Sequence, residues 1–360
     1  MITKDHVHYL LKVLLMAGYL IVSSGCSINK DINHRALPIV MGLENGDGGY
    51  KIYLLIPNMN QSRTNVRIVT GTGKTINEIL DRISKNMEIQ VDLLHLKVIV
   101  FERALAEKGL GDSISSFMRA RDISSKTIMA ISEERLGPLF DKLKSSSTQN
   151  GMDVYNFFEK NAGWSPDVAL TRIWQVFRSL HSYTNDVAIP MIKPGQTTAI
   201  ASTGSAVIRN GKMVGKITSD ETLLVNTFIG LGTQGKIEVM DHASVRILAE
   251  KISHSSSVVG NQVILNSNLK LKITILETKG AASVTMIKQE LEALLTGRFQ
   301  RLFRKTQSVK ADILGVGQLF RAKIPRDRLE HWRSDYYPNM KMTIQINTIV
   351  QNEGLLKTKS

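Results

Sequence analysis

One cysteine in 360 residues, Cys26, sets the terms on which this chain can fold. A single thiol allows no internal disulfide and no Cys-based metal cage, so stability must come from buried apolar surface. The chain is long enough for at least one sizeable core. Its 42% hydrophobic and 22% charged residues are the balance of a folded protein, not a disordered one. The formal net charge of +14 favours anionic partners: nucleic acid, acidic protein surfaces or an anionic membrane face. No long block of like charges occurs, so a nucleic-acid-binding tail is not expected and no nucleic-acid partner is assigned.

The place of the cysteine is as informative as its solitude. Lys4 and Lys12 give a weakly basic start, "VLLMAGYLIV" (Val13–Val22) supplies an apolar core, and Ser23, Ser24 and Gly25 form a small-residue exit. A helix over that core rises only ~15 Å, half of a ~30 Å bilayer interior. Residues 1–25 therefore read as a signal peptide and not as a lasting span. The exit resembles a bacterial lipobox, which implies cleavage between Gly25 and Cys26 and a diacylglyceryl, N-acylated cysteine as the new N-terminus. Two acyl chains, at ~0.8 kcal/mol per buried CH₂, anchor stably where one would be marginal. Ser23 departs from the aliphatic residue usual at that position. No other apolar stretch approaches spanning length, so the remainder is expected to be extracytoplasmic.

Beyond the signal, the patterning predicts an N-terminal mixed α/β region over 26–190 and an α+β region over 200–357. "RALPIVMGLE" and "GDGGYKIYLLIPN" read as a hairpin turning at Asn45–Gly49. Ile76, Ile79, Leu80 and Ile83 share one face of a helix opened by a Thr75/Glu78 capping box. "LKVIVF" is a buried strand, "ERALAEKGL" a helix stopped by Gly109, and "SISSFMRARDISSKTIMAIS" a helix and then a strand. The linker-like stretch is Lys144–Asp153. In "VALTRIWQVFRSL" the residues Leu170, Ile173, Trp174, Phe177 and Leu180 are expected on one core-facing helical face. Asn210–Gly211 is the strongest hairpin signal. Leu269, Leu271, Ile273 and Ile275 alternate with polar residues as a half-buried antiparallel strand. A long amphipathic helix follows, with Val284, Ile287, Leu291, Leu294, Leu295, Phe299, Leu302 and Phe303 on one side. Its far half carries Arg298, Arg301, Arg304 and Lys305, which suits the negative end of the helix dipole. "YPNMKMTIQINTIVQNEG" closes the chain as another strand. A further split of the C-terminal region near 245–255 is an additional expectation. The fold class is multi-domain α+β, sheets each packed by helices.

Two glycine motifs imitate nucleotide sites. "TGTGKT" lacks the first glycine of a phosphate loop, Ile68 standing there, and reads as a turn with a helix cap. "GLGTQG" (Gly230, Gly232, Gly235) is followed by strand-like "KIEV", not by a helix N-terminus, and reads as a turn. The eight histidines show no metal-ligand spacing, and His95, ahead of a buried strand, is expected in the core. No nucleophile–base arrangement is visible, and carboxylates such as Asp312 and Asp335 cannot be paired from sequence. No metal, cofactor or catalytic residue is assigned.

In order along the chain stand the cysteine, "KDINHRALPIVMGLE", "YKIYLLIPN", "GTGKTINEILDRIS", "LHLKVIVFERALAEKGL", "KADILGVGQLFRAKIP" and "HWRSDYYPNMKMTIQINTIVQNEGLL". The whole resembles the Ger(x)C, or GerAC-type, family, the lipoprotein subunit of spore germinant receptors. The resemblance implies a non-enzymatic subunit, anchored through Cys26 on the outer face of the spore inner membrane. It also implies two integral-membrane partners, an A-type and a B-type subunit. The basic surface would then lie against an anionic membrane, with Arg298, Arg301, Arg304 and Lys305 as its candidate membrane- or partner-facing patch. The alternative is a lipid-anchored solute-binding protein that captures a small germinant, although such proteins usually show two similar lobes and these halves are unlike.

Overall fold

The computed structural model describes residues 35–352 apart from 59–64, 121, 147–150, 160–164, 233 and 261, together with Lys12, Val13 and Met16. Cys26, Ser23 and part of the linker-like stretch lie outside those residues. A hairpin, β1 (Val40–Gly46) and β2 (Gly49–Asn58), starts the first sheet, and β3 (Asn65–Gly73) pairs antiparallel to β2. On the other side of β1, three parallel strands follow in turn: β4 (Val98–Glu102), β5 (Ile128–Ser132) and β6 (Val187–Pro194). The antiparallel β7 (Ile200–Arg209) and β8 (Lys212–Ile217) complete the order β8-β7-β6-β5-β4-β1-β2-β3.

Parallel neighbours need long crossovers, and these carry the helices. They are α1 (Ile76–Lys85), α2 (Arg103–Lys108), α3 (Gly111–Arg119), α4 (Leu136–Ser146), α5 (Met152–Phe158) and α6 (Ile173–Leu180). They cover both faces. Ile79, Phe101, Ile114 and Val176 belong to the core on one side, and Leu55, Val100, Phe140 and Phe158 to the core on the other. This explains the unbroken apolar runs of β4 and β5, whose apolar positions are all buried on one face or the other. At α1 the Thr75 hydroxyl accepts from Glu78 N–H at 3.2 Å and the Glu78 carboxylate accepts from Lys74 N–H at 3.0 Å. A Cβ on Gly71 would sit 2.8 Å from Ile79, so the glycine lets α1 lie close against β3. "TGTGKT" is thus a strand end and a helix cap.

The second sheet has the order β9 (Ile237–Val239), β10 (Ala243–Val259), β11 (Gln262–Thr278), β12 (Lys341–Asn352). β10 and β11 form a long antiparallel hairpin, while β12 runs parallel to β11, so the sheet is mixed. Between the sheets in sequence comes α7 (Ser219–Phe228), and between β11 and β12 comes α8 (Val284–Ser308). Leu269, Leu271, Ile273 and Ile275 are buried beneath α8, which contributes Ile287, Leu291, Leu295, Phe299, Leu302 and Phe303. The described residues from Ala36 onward form one compact unit.

β6 and β7 pair from Val187↔Ile208 to Pro194↔Ile200, so strands from both expected regions, 26–190 and 200–357, share the larger sheet. β10 runs without a break through 245–255, where a further split was an additional expectation. Several expectations change. α6 begins only at Ile173, because Thr171 and Arg172 are held extended beside Ile128, where Met129 N–H donates to Thr171 O at 2.8 Å. Within α6 the buried residues are Ile173, Val176 and Ser179, and Trp174 is left 38% exposed beneath the Arg178 guanidinium, 5.2 Å from its ring. His95 ends a tight helical turn, Leu93–His95, whose Leu93 takes the buried position and leaves the histidine exposed. The glycines of "GLGTQG" all have positive φ, and the strand β9 follows them, as the turn reading requires.

Candidate functional site

The basic end of α8 does not form one free patch. Arg298 is drawn inward to Glu238 at 2.9 Å and to Asp220 at 3.4 Å, and Lys305 reaches Glu221 at 3.0 Å. Asp220 and Glu221 sit in the first turn of α7, where the capping box of Thr218 and Glu221 also holds the helix start. Two of the four expected cations therefore strut α8 against α7 and β9. Arg301 and Arg304 stay exposed.

The most heavily bonded polar cluster lies elsewhere and joins segments far apart in sequence. After α8 the chain runs through "KADILGVGQLF" into a short helical turn, Val316–Phe320. Asp312, fully buried, caps that turn: its Oδ1 accepts from Val316 N–H at 2.9 Å and its Oδ2 from Gly317 N–H at 2.8 Å. Trp332, also fully buried, donates its indole N–H to the same Oδ2 at 2.9 Å. A Cβ on Gly317 would stand 2.7 Å from both Trp332 and Thr184, so the glycine is what lets the turn approach them.

Asp312 is tied in turn to the loop before β6. Asp186 N–H donates to Asp312 O, and Asp312 N–H donates to Asp186 Oδ2, both at 2.8 Å. Arg333 grips Asp186 with two bonds, Nε to Oδ2 at 3.0 Å and an NH2 nitrogen to Oδ1 at 2.8 Å, and donates to Ser182 O at 2.7 Å. Gln318 donates to the Thr184 hydroxyl at 2.6 Å. Burial pushes the Asp312 carboxyl up to about 7, reinforced by the nearby Asp186 charge and opposed by the two backbone amides and the indole. Tyr337, whose hydroxyl lies 2.7 Å from that of Thr306, is pushed well up by burial and by the Asp312 and Asp186 charges.

Chemically this is an interlock. Two carboxylates and one guanidinium, largely shut away from water, are each met by several directed bonds, a costly arrangement unless all partners are present. It fixes the 312–337 segment on the 182–186 loop and so couples the two sheets. Asp312 reads in the sequence only as an isolated carboxylate, because its partner Asp186 is 126 residues away. The one local signal is an acidic residue ahead of the glycine-punctuated "LGVG". Asp335 does not join the cluster; it lines a surface hollow with His331, Ser334 and Asn339. Among the described residues no group of three or more His, Cys, Asp or Glu is placed to hold a metal ion.

Comparison with known proteins matches most of this chain. A family model described as the spore germination protein N-terminal domain matches residues 29–194. A second, described as spore germination B3/GerAC-like, C-terminal, matches residues 203–354. The seam between them falls where β6 turns into β7, and the buried cluster draws Asp186 from the first segment and Asp312, Trp332 and Arg333 from the second. Spore germination protein GerQC of Bacillus cereus is 21% identical over 308 residues, covering 80% of this chain and 83% of its own. The crystal structure of the GerBC protein shares the fold, with a TM-score of 0.58 at 16% identity over 87% of this chain and 97% of that one. With both family segments present in order and together spanning most of its length, the chain belongs to the GerAC-type family of spore germination proteins.

Proposed function

We propose that the protein is the C subunit of a nutrient germinant receptor, held by a lipid on Cys26 at the outer face of the spore inner membrane. It acts there by assembling with an A-type and a B-type integral-membrane subunit. The observation that carries this reading is the succession of two spore germination segments, 29–194 and 203–354, directly behind a small-residue exit and a lone cysteine. No helix among the described residues is long and apolar enough to cross a membrane, and in this proposal the tether is the lipid. The interlocked body suits a part that works through contact. Its two sheets differ in strand order and in helix cover, which is unlike the paired lobes of a solute-binding protein.

The test is Cys26→Ala in spores. The expected outcome is loss of the protein from the membrane fraction and loss of nutrient germination. Pull-down of the wild-type chain from solubilised spore membranes should bring down two integral-membrane subunits, and its N-terminal peptide should carry the lipid. A Cys26→Ala protein that still fractionates with membranes and supports germination would sink the anchor.

A further inference from the structure

At the basic end of α8, Arg298 and Lys305 are consumed by carboxylates, which leaves Arg301 and Arg304 exposed. A larger group of exposed cations lies on the open face of the second sheet. Its outward positions are the alternate residues of β10, β11 and β12 that leave the buried set on the α8 side. Across the pairs from Ala249↔Lys272 to Val259↔Gln262, and along β12 to Ile349, these positions carry Lys251, Lys270, Lys272 and Lys341 mostly among serines, asparagines, glutamines and threonines, with no Asp, Glu or aromatic residue; Glu277, exposed and opposite Ser244, stands at the far end of the hairpin. Arg246, exposed and paired to Thr274, adds a fifth cation.

Two features separate this face from an ordinary solvated one. Lys251 and Lys270 stand directly opposite each other across the hairpin, with Lys272 next on the same side of β11. Like charges directly opposed on neighbouring strands are destabilising, and no carboxylate at these positions offsets them. Exposed aliphatic side chains also border the cations. Ile237 (43%) and Val239 (66%) lie on the β9 edge, Ile349 (53%) on the β12 edge, and Val259 (65%) at the hairpin tip.

We propose that this open face is a docking surface for an anionic lipid bilayer. Clustered ammonium groups attract acidic headgroups, while the marginal aliphatic residues can enter the headgroup boundary. An acidic protein partner fits less well, because the face has no aromatic anchor and its apolar groups are dispersed around the rim. The proposal deepens the anchored-subunit reading and rests on it for the nearness of a membrane: one lipid tether leaves orientation free, and this face would set it.

The experiment uses the mature chain from residue 27 onward, which holds the whole compact unit, so that neither the apolar signal segment nor acylation masks weaker contacts. Partitioning is measured on vesicles of phosphatidylcholine alone and of phosphatidylcholine mixed with phosphatidylglycerol, at low and high salt. The expected result is a phosphatidylglycerol-dependent gain that salt removes. Lys251→Gln with Lys270→Gln should lower that gain about 30-fold, each lysine counting for about fivefold. Arg301→Gln with Arg304→Gln on α8 should lower it far less. Thermal melts confirm that the variants fold. No preference for phosphatidylglycerol, equal losses for the two pairs, or wild-type partitioning by the sheet variant overturns the proposal. So does binding to polyglutamate that the lysine pair abolishes while vesicle partitioning persists. A sheet variant that binds vesicles normally, with Cys26→Ala still released from spore membranes, would remove this face and leave the anchored-subunit reading intact.

Discussion

The two sheets solve the same problem of burial in different ways. The eight-stranded sheet has helices on both faces, so adjacent residues such as Leu54 and Leu55, both 0% exposed, enter different cores. The four-stranded sheet has α8 on one face only, so Leu271 is buried while the next residue, Lys272, is exposed. A strand in the first region can therefore be recognised as apolar but not assigned a face, whereas a strand in the second declares its face by alternation. The difference also leaves the second sheet with a broad, exposed polar face, whereas both faces of the first are taken up by helices.

The largest effect should come from breaking the join between the two. Asp186→Ala would strand Arg333, whose side chain is only 13% exposed, and leave Asp312 N–H without its acceptor. Removing one partner of such a buried pair costs about 3–5 kcal/mol. Denaturant unfolding is expected to show that loss, and separate transitions for the two sheets would show that the cluster is what makes them unfold together. An unchanged midpoint would show that hydrophobic contact alone joins them.

Paired truncations test the contrast in helix cover. Leu54→Ala and Leu55→Ala should each cost ~2–5 kcal/mol, because both neighbours are core. On β11, Leu271→Ala should cost a similar ~2–5 kcal/mol while Lys272→Ala stays within ~0.5 kcal/mol. Equal costs for Leu271 and Lys272 would mean that the face bearing Lys272 is covered.

A smaller effect tests α7, the helix that touches both regions. Its Asn226 donates to Pro166 O at 2.8 Å and Val168 O at 3.1 Å, while Leu224, Val225 and Phe228 enter the core beneath the second sheet. Thr218→Ala removes its N-cap and should cost ~1 kcal/mol in thermal or urea unfolding.

The smallest concerns acid. His254 on β10 is half-buried, 4.5 Å from the Phe228 ring, and burial holds its imidazole below the ordinary value of 6.5. The unfolded chain therefore takes up a proton before the folded one does. Stability from neutral His254 is present above about pH 6.5 and is lost as pH falls below it. His254→Gln should flatten that part of the pH–stability curve; an unchanged slope would show that His254 does not contribute to it.

Much of the architecture is legible in the sequence wherever the signal is local. The Thr75/Glu78 cap, the Asn210–Gly211 turn and the inward row Leu269, Leu271, Ile273 and Ile275 each depend on residues a few positions apart, so spacing alone determines them. The same holds for the order of segments that resembles the spore germination family. Periodicity misplaces Trp174 because the buried face of α6 centres on Ile173, Val176 and Ser179, which puts Trp174 past its margin, and spacing alone does not say which side of a broad apolar stripe meets the core. His95 is misplaced for a related reason: a tight turn gives the buried position to Leu93.

What only the tertiary structure decided was which distant groups meet. Nothing near Asp312 announces Asp186, and nothing in the basic run of α8 shows that Arg298 and Lys305 turn inward while Arg301 and Arg304 do not. The physical reason is the same in each case. Local patterns are set by backbone periods and hydrogen bonds within a few residues, whereas the neutralisation of a charge depends on its partner across space. The sequence held the lone cysteine, the strands and the excess of positive charge; only packing decided where that charge remains exposed.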